Sequence, residues 1–197
     1  MNNFDIDNYI NSLGLSDNLK LDDIPEIDLY MDQVMQLFES KFTHTKRTDD
    51  DKVLTKTMIN NYSKGNLLMK VKNKKYSKDH LILMSLIYNL KGALSLNDIK
   101  TILTPIISSF EKGEDYPLRD VYQSFLDIFN LSLNNFKDSS NDIYNNISKL
   151  VNSKEPLLDD YEKNLLLICS YISMSNMYRR MSEKILDDCF NKLKENK

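Results

Sequence analysis

A chain of 197 residues with 41% apolar and 28% charged side chains but only four Gly and four Pro can bury a sizeable core and reads as helix-rich and globular, which excludes a disordered or fibrous protein. No apolar stretch reaches bilayer-spanning length, and Met1 to Asp7 lacks the basic segment and apolar run of a secretory signal, so a cytoplasmic protein without membrane partners is expected. The formal charge of −3 conceals a reversal of sign: Lys52 to Lys78 holds eight lysines and no acid, while the other 18 basic and 29 acidic residues give −11.

In chain order, Ile6, Tyr9, Ile10 and Leu13 fall at helical spacing and predict a short leading helix over residues 5–13. Ile27, Tyr30, Met31, Val34, Leu37 and Phe38 predict a second over about 26–42, followed by a polar loop over 43–51 whose Asp49, Asp50 and Asp51 read as solvated carboxylates. Thr55 is placed to cap a brief helix with Ile59 and Tyr62 facing inward and Lys56, Thr57, Asn60, Asn61 and Lys64 on the other side. Gly65 and Asn66 end it, since both tolerate left-handed backbone. From Leu67 to Tyr76 apolar and basic residues nearly alternate, with Asn73 at the turn, which predicts a small β-hairpin. Ser77 caps a helix carrying Leu81, Met84, Ile87, Tyr88 and Leu90 and closing near Gly92. Ser95 with Asp98 forms a capping box for the next, whose Leu96, Ile99, Ile102 and Leu103 face inward. Helix, helix, hairpin, helix, helix is the order of a winged helix.

Beyond Pro105 the chain is helical by periodicity. Helices are predicted over about 117–137, 140–152 and 157–195, separated by Gly113, Asp138 to Asn141, and Pro156. In the last, Tyr171, Met174, Tyr178, Met181 and Ile185 step by 3 and 4, as a seam against another helix of the same or a partner subunit does. Cys169 and Cys189 on that helix would lie roughly 30 Å apart, beyond disulfide reach, and are expected as buried thiols. His44 and His80 have no metal-ligand spacing, so no metal site is expected. The division expected is a helical extension (1–21), a winged-helix domain (22–105) and an all-helical dimerisation or sensor region (106–197).

A polyanion is the partner that best explains a segregated positive segment. A short helix displaying Lys56, Thr57, Asn60, Asn61 and Lys64 suits a major groove, where Asn pairs with adenine N6 and N7 and lysines hold phosphate. Lys70, Lys72, Lys74 and Lys75 on the hairpin would grip the flanking backbone; Tyr76 reads first as core, with its hydroxyl as a candidate phosphate contact.

Thr57-Met-Ile-Asn-Asn-Tyr-Ser-Lys-Gly-Asn-Leu-Leu68 resembles the recognition helix and exit of a MerR-type winged helix, a helix-turn-helix variant. Lys74-Lys-Tyr-Ser77 resembles its wing, and Leu94-Ser-Leu-Asn-Asp-Ile-Lys100 the opening of its next helix. The chain departs from that pattern at Asn60-Asn61, where Arg then Tyr is usual, at Lys74 for the wing Arg, and at Asn66 for a Gly. Ile24-Pro-Glu-Ile-Asp-Leu-Tyr-Met-Asp-Gln33 together with Lys52 to Asn61 resembles a Firmicute domain-of-unknown-function family, number 1836, whose members are thought to be DNA-binding regulators. Over residues 22–105 the resemblance implies a mostly α protein with a winged-helix DNA-binding region.

An enzyme is not expected: no Gly-rich phosphate loop, no His and acid at useful spacing and no activated cysteine can be read, and no cofactor is implied. A protein-interaction adaptor working through the long C-terminal helix and its Met174, Met177, Tyr178 and Met181 is the alternative. The reading favoured is a transcription regulator that binds double-stranded DNA as a homodimer. A small-molecule effector within its helical region is a subcase that no residue pattern names.

Overall fold

Local helix signals dominate the chain, and the computed structural model, which describes residues 5–153 and 159–191, is mostly helical. Its elements are α1 (Ile6–Ser12), β1 (Leu29–Tyr30), α2 (Met31–Phe42), α3 (Lys56–Lys64), β2 (Lys75–Tyr76), α4 (Lys78–Leu90), α5 (Leu96–Lys112), α6 (Leu118–Asn152) and α7 (Asp160–Leu186), the last followed by a π-helical turn, Asp187–Asn191. Met1 to Phe4, Pro156 and residues 192–195 of the predicted last helix lie outside the described residues.

The first departure from the expected pattern is at residues 26–30. These were expected to open a helix with Ile27 and Tyr30 inward, but Ile27 is 71% and Tyr30 53% exposed, and the helix begins only at Met31. Gln33 fixes that start, because its Oε1 accepts from the Tyr30 N–H at 2.9 Å and so satisfies a helix-entry donor. Leu29 and Tyr30 are left extended, and they pair antiparallel with Tyr76 and Lys75.

That pairing also recasts the hairpin. Asn73 and Lys74 both adopt positive φ, 51° and 59°, and the Lys75 N–H reaches the Lys72 carbonyl at 2.9 Å. This is the geometry of a two-residue type I′ turn. Only one bridge, Lys72 to Lys75, closes behind it; the strand beyond finds its partner far upstream, at Leu29 and Tyr30.

A single buried cluster runs from Leu19 through Val34, Phe38, Ile59, the wholly buried run Leu81 to Met84, and Ile99 to Tyr122 and Leu126. Tyr122 ties its two ends: the hydroxyl donates to the Leu19 carbonyl at 2.6 Å and shares a 2.7 Å hydrogen bond with the Ser85 hydroxyl. Burial pushes that phenol up to about 12. This cluster runs across the divisions expected at 21/22 and 105/106. Leu19 belongs to the core, α5 runs through Pro105 to Lys112, and the core continues into α6. Gly113, at φ 74°, is the real stop, adopting a left-handed conformation that costs a side-chain-bearing residue energy.

α6 is one uninterrupted helix of 35 residues, with no break over 138–141. Asp138-Ser-Ser-Asn141 is polar enough to read as a linker but contains neither Gly nor Pro, and a helix tolerates it. Here it serves as the floor on which α1 rests, with the Asn141 amide donating to Asp7 Oδ1 at 3.3 Å. α7 returns along α6 through Phe136 and Tyr171, rings 6.3 Å apart, and through Lys163, which donates to the Tyr144 hydroxyl at 2.9 Å. Cys169 and Cys189, expected buried, are both exposed free thiols. No described helix is long and apolar enough to cross a membrane.

Candidate nucleic-acid interface

The centre of the candidate surface is α3, whose limits are set locally. Thr55 Oγ1 accepts from the Met58 N–H at 3.2 Å, a side-chain N-cap. At the other end Leu67 N–H reaches the Tyr62 carbonyl at 2.9 Å and Asn66 N–H the Ser63 carbonyl at 3.2 Å, the paired bonds of a Schellman stop. Asn66 alone takes the left-handed position, φ 56°. Gly65 stays right-handed and matters for space instead, since a Cβ there would lie 2.8 Å from Leu67 Cδ1 and 3.1 Å from the Asn61 carbonyl oxygen.

Ile59 and Tyr62 are buried and anchor α3 to the core. The opposite side shows Lys56, Thr57, Asn60, Asn61 and Lys64, all exposed and, at about 100° per residue, within an arc of roughly 140°. The inward and outward assignments made from periodicity hold for all seven. α2 packs against both α3 and β2, which links the helix to the turn that carries the other lysines.

In that turn Lys70, Lys72 and Lys74 are exposed and Lys75 is half-buried, its Nζ 5.0 Å from the centre of the exposed Tyr30 ring. Tyr76 does not belong with them. It is 4% exposed, packs edge-on against His80 and has its hydroxyl pKa raised by burial; strand alternation sends Tyr76 inward wherever Lys75 faces out.

His80 fixes the base of the turn. Its Nδ1 accepts from the Ser77 N–H at 3.2 Å and from the Ser77 hydroxyl at 2.8 Å, so the proton of the neutral ring sits on Nε2, which donates to the Met69 carbonyl at 3.3 Å. Burial lowers the pKa of this ring and outweighs the opposing hydrogen bond to Met69 and the charges of Asp79 and Asp28.

Charge in three dimensions differs from charge along the chain. Lys78, the eighth lysine of the positive segment, is paired with Glu26 at 2.6 Å; Glu26 also meets Arg119 at 3.2 Å, and its pKa is lowered chiefly by the bond from Lys78. Lys70, Lys72 and Lys75 border a cleft of about 700 Å³ whose walls include Asp28, Asp79 and Glu111, acids that lie outside the segment in sequence. Still, Lys52, Lys56, Lys64, Lys70, Lys72, Lys74 and Lys75 form no ion pair with any described residue. Tyr30, through its contact with Lys75, is an addition that the sequence reading did not place beside these lysines. Tyr30 was hidden by its apparent helical register. Among the described residues no group of three or more His, Cys, Asp or Glu is arranged to hold a metal ion, and Asp51 folds back to accept from Arg47 and Thr48 N–H at 3.1 and 3.0 Å.

No curated protein and no solved structure matches the chain. The core that begins at Leu19 and ends at Leu126 has nearly the limits of a recognised family: a model for a domain of unknown function (DUF1836) matches residues 19–125, more than half of the chain, and the chain belongs to that family.

Proposed function

We propose that the protein is a cytoplasmic, DNA-binding transcription regulator, with α3 as the reading helix of a MerR-like winged-helix region and the Lys72 to Lys75 turn as its wing. One observation carries the reading: an exposed helix face of two lysines, two asparagines and a threonine, none of its cations neutralised by a described carboxylate. Asn60 and Asn61 offer the paired donor and acceptor that adenine presents in a major groove, and the lysines supply phosphate contacts. Fluorescence anisotropy with random duplex DNA tests it. With about six phosphates engaged per subunit, log affinity falls against log salt with a slope near −5; binding that is absent or indifferent to salt would refute the proposal.

The adaptor reading has its own support in α7, where Ile168, Ile172, Met177, Tyr178 and Met181 are each more than half exposed. Exposed apolar rows of this kind serve protein contacts. In the DNA-binding reading they join two copies of the chain, doubling the half-sites read.

A further inference from the structure

Between α1, α6 and α7 lies a groove of about 430 Å³, within the size range of pockets that take small molecules. Ile6, Ile10, Leu13, Phe136, Ile143 and Met174 supply its aliphatic and phenyl wall, and no charged residue lines it. Tyr and Ser hydroxyls interrupt the apolar lining, and two of them are buried without a partner. Ser140 is 1% exposed, and neither its Oγ nor the buried hydroxyl of Tyr171 has a hydrogen-bond partner. Buried polar atoms are nearly always partnered, and each exception calls for a reason.

We propose that this groove binds a small neutral amphiphile, an apolar body with one uncharged hydrogen-bonding group that engages Ser140 and Tyr171. Neutrality follows from the lining: a carboxylate or ammonium placed there would lose its hydration with no opposite charge to replace it. An apolar molecule without a polar group would leave both hydroxyls as they are. The site is separate from the α3 surface, so its failure leaves the DNA-binding proposal intact.

The full-length chain, titrated with the neutral fluorophore 1-N-phenylnaphthylamine, should give saturable enhancement at one site per chain. Decanamide should displace the probe at least tenfold better than decanoate at pH 8, where the acid is ionised. Ser140→Ala and Tyr171→Phe should each weaken decanamide about threefold to tenfold while the melting temperature holds or rises, because the deleted hydroxyls bond to nothing in the free protein. Ser175→Trp, at an exposed position on the groove wall, should abolish probe binding. The proposal is overturned by a probe that does not saturate, by decanoate binding as well as decanamide, by hydroxyl deletions that leave decanamide affinity unchanged, or by probe binding that survives Ser175→Trp.

Discussion

Lys74 combines an exposed charge with a backbone conformation that its side chain disfavours. At φ 59° a residue with a Cβ carries about 1 kcal/mol of strain, close to the 0.4–1 kcal/mol that Gly would add to the entropy of the unfolded chain. Lys74→Gly should therefore hold its melting temperature while losing one phosphate contact, which reduces the salt slope by about 0.9. Anisotropy at several salt concentrations, beside a thermal melt, checks both halves. Lys74→Ala is the poorer test because Ala keeps the strain and loses the charge.

His80 is the other residue with a separable signature. Its pKa in the folded state is depressed below 6.5 by burial, so the unfolded chain binds the proton first and stability is lost as pH falls below 6.5 towards the folded value. Urea unfolding at pH 7.5 and 5.5 should show that loss, and His80→Gln should flatten it, since Gln occupies the same capping position without titrating. An equal loss in both proteins would assign the effect to other groups.

At the scale of elements, α3 was legible because its signals are local. A Thr cap, two inward apolar residues and a left-handed stop all sit within a dozen positions, and tertiary packing has only to accept them. Asn60→Ala should leave the helix in place and relax preference at one base by about 1–3 kcal/mol, whereas Lys74→Gly should weaken all sequences alike. Binding to a panel of single-base variants of a selected duplex measures both, and identical profiles would contradict the assigned roles. β1 was illegible for the opposite reason. Leu29 and Tyr30 fit the helical spacing of their neighbours, and only the approach of residues 75 and 76 makes them a strand.

For the whole molecule, the informative surface is α7. The seam Tyr171, Met174, Tyr178, Met181, Ile185 divides: Tyr171 and Met174 are half-buried, while the last three are more than half exposed. A second row, Tyr161, Leu165, Ile168 and Ile172, is exposed as well. Its steps of 4, 3 and 4 were present in the sequence beside the seam that was read. Two uncovered apolar rows on one helix predict self-association, and size-exclusion chromatography with light scattering should give twice the chain mass of 23.1 kDa at micromolar concentration. A monomer throughout would remove the dimer from the proposal. Met181→Asp with Ile168→Asp should shift a dimer towards monomer, since each places an uncompensated charge in the contact.

The sequence by itself determined the limits of α3, the caps at Thr55 and Ser95, the turn at Asn73 and the outward face of α3, because each depends on residues within one or two turns of chain. Tertiary structure alone decided that Leu29 and Tyr30 form a strand, that Lys78 is neutralised by Glu26 and that Asp28, Asp79 and Glu111 border the cleft beside the Lys72 to Lys75 turn. Those outcomes depend on energies of burial and charge between residues far apart in the chain, which no local pattern records.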